Sequence, residues 1–107
     1  MALTILESGE DASEGKVYNN HIMLFAKALG SDQVIDVQVA DTNDDLTASG
    51  SWVSSGTVLD DEVPIKPFFT SKGIAVRVSV DGTGTSACVV VVDILNEPAE
   101  YRRSALG

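Results

Sequence analysis

The sequence predicts an all-β protein, a single-domain antiparallel β-sandwich of jelly-roll-like form built from six to eight short strands. Two observations favour this class. Apolar and polar residues alternate in several short runs, which is the period of a half-buried strand. Clusters of Asp, Asn, Gly, Ser and Pro separate these runs and are typical of turns. The 107 residues have room for one domain, which can bury a core without disulfides or metal.

The first 20 residues are expected to form an N-terminal strand or arm and an acidic loop, before a sandwich core at 21–96 and a polar tail at 97–107. Leu3–Leu6 is a short possible strand. The polar stretch after it, residues 7–15, predicts a solvated loop. The alternative is an arm that becomes ordered against a partner subunit.

The run His21–Leu29 fits either a helix or a strand, and its nine residues favour a strand because most helices are longer. As a strand it is apolar on both faces. A turn at Gly30–Gln33 then leads into Val34–Ala40, which alternates cleanly. There Ile35, Val37 and Val39 are expected to point inward, and Asp36 and Gln38 outward.

Asp41–Asp45 predicts a turn, because Asp and Asn side chains bond to nearby backbone groups and tolerate tight geometry. The stretch Thr47–Leu59 that follows is rich in Ser, Thr and Gly but has Trp52 at its centre. A flexible linker would lack the tryptophan. We therefore expect one short strand around Trp52 and a second at Thr57–Leu59.

An acidic turn at 60–62 precedes Val63–Phe69, which contains two prolines. Proline cannot donate to a ladder, so this segment is expected to be an edge strand or a crossing loop rather than a central strand. Phe68 and Phe69 are expected to anchor it to the core.

The stretch Gly73–Leu95 holds the two clearest apolar runs. The first, Ile74–Val80, alternates, and the second, Cys88–Leu95, is apolar on nearly both faces. Such a strand is typical of a central position covered on both sides. The Asp81–Gly84 turn between the runs supplies glycines for positive-φ positions, so the stretch predicts a β-hairpin.

The charge balance argues against two classes of partner. Sixteen acids against seven bases give a net charge of −9. Nucleic-acid binding depends on Lys and Arg, and so does docking on an anionic membrane, so neither is expected. No apolar run approaches the roughly 20 residues of a membrane helix, and the first residues do not have the pattern of a secretory signal. One cysteine excludes an internal disulfide.

No catalytic, cofactor or metal site is predicted. His21, the one histidine, is interpreted as a residue at the start of a strand, and Cys88 as a small buried hydrophobe. A catalytic triad would need further partners, and a structural zinc site would need more ligands. We expect the chain not to be an enzyme.

Two acidic motifs are interpreted as ordinary turns. Asp41-x-Asn43-x-Asp45 has the spacing that opens a calcium loop, but the turn glycine is missing and the twelfth position is Trp52 rather than Glu. We interpret it as an Asx-rich turn. A weaker calcium hypothesis adds the acids of the next turn, Asp60, Asp61 and Glu62. The G-x-G at 82–84 precedes a strand rather than a helix, so it is not a phosphate loop.

The arrangement from Ile22 to Ile94 resembles small β-sandwich proteins of tailed-phage virions, of the capsid decoration or cement type. The resemblance is carried by IMLFAKAL, VIDVQVADTND, GSWVSSGT, a Pro/Phe crossing, IAVRVSV and ACVVVVDI. It implies a non-enzymatic role, located in the virion, with the major capsid protein or other virion proteins as partners. It also implies a homo-oligomer, with a trimer favoured, and a tail-associated protein is a related alternative.

Interface candidates follow from residue type and position. Tyr and Arg are enriched at binding hot spots, and Arg102 and Arg103 stand beside Tyr101 in a chain with few bases, although a solvated terminus is the alternative. The full set of candidates is Leu3, Ile5, Trp52, Phe68, Phe69, Tyr101, Arg102 and Arg103. A second hypothesis is a carbohydrate- or ligand-binding module with an exposed Trp52. A third is a small metal-dependent barrel enzyme of the cupin type, which usually needs several histidines.

Overall fold

The computed structural model of the chain describes residues 2–18, 21–71, 73–82 and 88–93. Within them lie seven strands and one short 3-10 turn, Ser49–Ser51, and no α-helix. The strands are β1 (Ala2–Leu6), β2 (Ile22–Lys27), β3 (Val34–Asp41), β4 (Val53–Leu59), β5 (Ile65–Phe68), β6 (Ile74–Asp81) and β7 (Cys88–Asp93). They form two antiparallel sheets packed together, so the prediction of an all-β sandwich is confirmed.

The four-stranded sheet has the order β1-β7-β2-β5, and the three-stranded sheet has the order β4-β3-β6. The apolar run of β7 is therefore central, as predicted, between β1 and β2. The proline-bearing β5 lies at an edge, also as predicted. The expected hairpin is wrong, because β6 pairs with β3 while β7 pairs with β1 and β2 in the other sheet. The connection between β6 and β7 crosses from one sheet to the other.

A segment of the acidic N-terminal stretch closes the free edge of β6. Ala12 and Lys16 form isolated bridges with Ser79 and Val76. The Ser13 backbone N–H donates to the Val78 carbonyl at 2.9 Å, and the Val78 N–H donates to the Ser13 hydroxyl at the same distance. The buried Ser13 hydroxyl thus replaces a backbone acceptor. Residues 7–11 are exposed, but 12–15 do not form the solvated loop that was predicted for 7–15, because this part of the chain pairs with β6.

Counting residues 12–16 as a strand completes a jelly roll. In chain order, the four-stranded sheet then holds the first, eighth, third and sixth strands, and its partner holds the second, seventh, fourth and fifth. This is the jelly-roll arrangement of two four-stranded sheets. This order requires the chain to cross between the two sheets twice in succession, from β5 to β6 and from β6 to β7.

One bulged strand replaces the two short strands expected in Thr47–Leu59. Trp52 lies just before β4, and the register against β3 shifts between Ser54 and Val58. Gly56 has a φ of +86°, which glycine adopts without strain. The Ser55 hydroxyl donates to the Val37 carbonyl at 2.6 Å. The Ser- and Gly-rich composition of this stretch therefore builds a β-bulge.

The main core lies between the sheets. Its buried residues come from both, and they include Phe68, as predicted: Leu6, Ile22, Leu24, Ala26, Ile35, Val37, Leu59, Phe68, Val76, Val78 and Val89. Ile5 packs partly buried against them. Phe69 is 71% exposed, so its predicted role as a core anchor is wrong. Successive residues of an extended chain point to opposite faces, and only one of this pair can face the core.

A single glycine fixes the end of β6. Gly82 has a φ of +115°, and a Cβ placed on it would overlap the Asp32 carbonyl oxygen. The chain therefore needs glycine here for both backbone conformation and close approach. The residues of the turn that follow, 83–87, lie outside the described part of the chain.

Candidate interaction face

The outer side of β2 and β5 carries a continuous row of mostly apolar side chains. Ile22, Leu24 and Ala26 are buried in the core, so the residues between them face outward. Their partners across the ladder are Pro67 for Met23 and Ile65 for Phe25. We call this set the β2–β5 stripe: His21, Met23, Phe25, Ile65, Pro67 and Phe69.

Several large side chains of the stripe are uncovered. Phe25 is 38% exposed, Ile65 45% and Phe69 71%. Val63, which precedes β5, is 48% exposed. Single exposed apolar residues are ordinary on protein surfaces, whereas several adjacent ones indicate a surface that another molecule covers.

The two ends of the stripe differ in chemistry. At one end the rings of His21 and Phe69 meet edge to face, with centroids 4.5 Å apart and planes at 82°. At the other, the Lys27 ammonium lies 5.8 Å from the centroid of the Phe25 ring. A cation over an aromatic face is stabilised by the ring quadrupole. The stripe thus runs from an aromatic pair, half-buried His21 and exposed Phe69, to a positive charge.

No acid interrupts β2 or β5. The ionised residues of Ile22–Lys27 and Ile65–Phe68 are Lys27 and Lys66, in a chain with sixteen acids and seven bases. On the other side of β2, the backbone register pairs Val90 with Phe25 and Val92 with Met23. The acid-free surface therefore lies on β2 and β5 of the four-stranded sheet.

The edge of β5 is poor in free donors. The Ala26 N–H donates to the Pro64 carbonyl at 2.9 Å, and hydrogen-bonded pairs alternate along an antiparallel ladder. Pro67 pairs with Met23, three positions along, so its nitrogen lies on the open side of the strand. Proline has no N–H, and β5 consequently offers an incomplete template for another strand.

Trp52 lies on the outer face of the opposite sheet, where the chain covers it. It packs with Ala40, Ala75 and Leu46 in a cluster separate from the main core, and it is 7% exposed. Its indole N–H donates to the Leu46 carbonyl at 3.1 Å. A Cβ on Gly15 would lie 2.6 Å from the ring. The expectation of an exposed Trp52, as interface residue or sugar platform, is therefore wrong.

A chain of polar contacts continues from Trp52 across this face. The Arg77 guanidinium carbon lies 4.8 Å from the centre of the indole, and its Nε donates to Gln38 Oε1 at 2.7 Å. Gln38 Nε2 then donates to Asp36 at 3.2 Å, and the Ser54 hydroxyl donates to the same carboxylate at 2.6 Å. Asp36, Gln38 and Ser54 line an open hollow of about 330 Å³. The side chains here bind one another.

The Asx-rich turn has the predicted local bonds. Asp41 accepts from the Asn43 N–H at 2.9 Å. Asp45 accepts from the Thr47 hydroxyl at 2.6 Å and from its N–H at 3.0 Å, and these bonds lower the pKa of the Asp45 carboxyl. In the next turn, Asp60 accepts from the Val63 N–H at 2.7 Å.

The described part of the chain holds neither a cluster of metal ligands nor a membrane-spanning helix. Across 2–18, 21–71, 73–82 and 88–93, no three His, Cys, Asp or Glu side chains gather where they could hold a metal ion. The same ranges contain no helix long and apolar enough to span a membrane. The buried Nδ1 of His21 has no hydrogen-bond partner among these residues.

The other residues singled out in the sequence are Leu3, Cys88 and three interface candidates of the C-terminal tail. Leu3 pairs with Val91 in the ladder between β1 and β7. Cys88 begins β7, but its side chain lies outside what the structure describes, as do Tyr101, Arg102 and Arg103 entirely. Of the predicted interface residues, Phe69 alone among those with a described side chain is strongly exposed in an apolar neighbourhood.

Sequence reasoning missed Met23, Phe25, Ile65 and Pro67. The signal was present, since His21–Leu29 is apolar on both of the faces that a strand would have. A second apolar face indicates a covering partner or layer. No family model, curated protein or solved structure matches this chain.

Proposed function

We propose that the protein is a non-enzymatic structural protein of a virion, most specifically a capsid decoration protein that binds and stabilises the assembled phage shell. It works as a homo-oligomer, with the major capsid protein or other virion proteins as partners. The observation that carries the proposal is the β2–β5 stripe, an exposed, acid-free apolar face on a rigid sandwich. Such a face indicates a protein whose working state is an assembly.

The rest of the molecule supports a scaffold role. The paired sheets form a core of buried aliphatic residues and Phe68, and the edge of β6 is closed by the chain itself. A net charge of −9 favours a position outside a nucleic-acid-filled particle, since polynucleotides repel it. A protein that binds the assembled shell and not the dispersed subunits stabilises the shell by mass action.

The carbohydrate-binding alternative receives less support. A sugar platform needs an aromatic face open to solvent, and Trp52 is enclosed by Leu46, Gly15 and Arg77. The exposed aromatic rings, Phe25 and Phe69, lie instead in the stripe. These rings have no hydrogen-bonding atoms, so they suit an apolar protein surface.

Co-sedimentation tests the proposal. Purified wild-type protein is mixed with mature shells and, separately, with unassembled capsid protein of the virus whose genome encodes this chain. We expect saturable pelleting with the shells, a fixed ratio to the capsid protein, and a higher melting temperature of the loaded shells. The absence of pelleting at tens of micromolar protein would contradict the decoration role.

A further inference from the structure

We infer that the β2–β5 stripe binds a second copy of this chain, face to face across a two-fold axis. The inference rests on the proposed function, because it names what covers this face in the assembled state. The shell would then be contacted by other surfaces of the pair.

The geometry favours a contact through the face of the sheet and not through its edge. Pro67 removes a backbone donor from the open side of β5, which weakens the addition of another strand there. The side chains of Phe25, Ile65 and Phe69 project from the face and are exposed. Two such faces can pack like the layers of a sandwich, about 10 Å apart.

Charge identifies the second copy as the partner. In a two-fold contact the same patch meets itself, so a patch with a net negative charge meets a second patch of the same charge. A chain of net charge −9 tolerates this contact only on a face free of acids, and neither β2 nor β5 contains one. The outer face of the other sheet carries Asp36 and Asp81, so two copies of that face would repel each other.

The ends of the stripe select one orientation of the axis. An axis parallel to the strands would bring the two Lys27 ammonium groups together. An axis across the strands instead places Lys27 of each copy near the His21–Phe69 end of the other. Phe69 is 71% exposed, and its ring can accept a cation. We therefore assign the antiparallel arrangement.

The size of the face sets the expected affinity. β2 has six residues, about 20 Å in length, and four strands are about 19 Å wide. The whole outer face of this sheet, of which the stripe occupies two strands, has a projected area of roughly 400 Å², about half of the roughly 800 Å² per partner in a stable interface. Association is consequently expected to depend on concentration in the micromolar range.

Sedimentation equilibrium from about 1 to 200 µM tests the inference. The wild-type mass should rise from that of the 11.2 kDa chain toward twice that value. The double variant Ile65→Thr/Phe69→Ser should remain monomeric, with its dissociation constant raised at least tenfold. Val53→Thr is the matched control, because Val53 is 60% exposed in the other sheet. Circular dichroism verifies that each variant is folded.

A second pair of variants tests the charge argument. Met23 lies near the middle of the stripe, between His21 and Phe25, so the proposed axis passes close to it. Met23→Glu brings two carboxylates together and should weaken association more than Met23→Gln. Added salt should reduce this difference, since it screens the repulsion.

Several results would overturn the inference. A wild-type monomer at every concentration would do so, and so would a dimer that survives the double substitution. A species of three chains would replace the two-fold pair with the trimer that the phage resemblance favours. Shell binding by a monomeric wild type would sustain the proposed function while refuting self-association. A wild-type dimer that does not pellet with shells would do the reverse.

Discussion

The outer faces of the two sheets are treated in opposite ways. On the sheet formed by β4, β3 and β6, the largest aromatic residue, Trp52, is covered by a loop and by Arg77. On the sheet formed by β1, β7, β2 and β5, Phe25, Ile65 and Phe69 remain exposed. The same short chain therefore encloses one aromatic surface and leaves another open.

Because the chain covers Trp52 on one sheet, the exposure of the stripe on the other sheet is a specific feature of that face and not a general property of the surface. The loop over Trp52 uses the Leu46 carbonyl for the indole N–H, and the Asp45 carbonyl accepts from the Ser51 hydroxyl. No charged group of β2 or β5 is acidic, although acids outnumber bases by sixteen to seven in the whole chain. A face kept apolar and free of like charge is suited to a contact.

The largest expected effect compares truncation of one aromatic residue on each face. Trp52→Ala should lower the free energy of unfolding by about 3–5 kcal/mol, because it removes a buried ring and leaves a cavity. Phe69→Ala should change it by less than about 1 kcal/mol, since the ring is mostly exposed and makes one edge contact with His21. Urea unfolding measures both. Equal losses would erase the contrast between the faces.

The next effect concerns the closed edge of β6. Ser13→Ala removes the acceptor of the buried Val78 N–H and should cost about 1–3 kcal/mol. Hydrogen exchange at Val78 should accelerate. Ser71→Ala, at an exposed position, is the control and should change stability by less than about 0.5 kcal/mol. Unchanged protection of Val78 would mean that residues 12–16 do not close this edge.

A smaller effect is expected at the cover of Trp52. Arg77→Lys keeps the charge but loses the planar guanidinium that stacks on the indole and bonds to Gln38. The expected loss is about 1 kcal/mol, with a red shift of the tryptophan emission as water reaches the ring. An unchanged emission spectrum would indicate that the loop alone covers Trp52.

The smallest expected effect is on the pH dependence of stability, through Asp45 in the turn where the loop over Trp52 begins. Asp45 has a lowered pKa in the folded state, because Thr47 bonds to its ionised form. Its contribution to stability is therefore present above the ordinary range, near pH 4, and is lost as pH falls through the lowered pKa. Asp45→Asn keeps an acceptor but does not titrate. The advantage of wild type over this variant should shrink below about pH 4, as measured by thermal unfolding.

The strands themselves could be predicted from local pattern. Val34–Ala40 and Ile74–Val80 alternate, and each forms a strand with the expected face inward at Ile35, Val37 and Val78. The two prolines of Val63–Phe69 correctly indicated an edge. These features depend on the chain's own period of two and on the missing N–H of proline, which need no knowledge of distant residues.

Strand partnership could not be predicted in the same way. The run Gly73–Leu95 has the composition of a hairpin, but the same glycines serve a crossing between sheets equally well. Gly82 packs against the backbone of Asp32, fifty residues earlier in the chain. The choice between pairing and crossing depends on β2 and β3, because β2 pairs with all six residues of β7 and β3 with all eight residues of β6.

The candidate site was only partly accessible from the sequence. Phe69 was predicted both as a core anchor and as an interface candidate, and its exposure contradicts the first of these roles. Trp52 was named as an interface candidate and, in the carbohydrate hypothesis, as an exposed platform. Its burial could not be predicted because it depends on Gly15 and Arg77, which are remote in sequence. Residues 12–16 show no alternation of apolar and polar side chains. One of their hydrogen bonds to β6 is accepted by the Ser13 side-chain hydroxyl rather than by a backbone carbonyl. A pattern of side-chain polarity does not reveal such a strand.

The pairing of β1 with β7 has a consequence for how the protein is made. Among the described strands β1 pairs with β7 alone, so the four-stranded sheet cannot close until Asp93 has left the ribosome. Contacts of such large sequence separation also make folding slow. Until β7 emerges, β2 has at most β5 beside it, and its two apolar faces are open to other nascent chains. Ribosomes translating one message in close succession would hold many such chains together, at the moment when aggregation competes most strongly with folding.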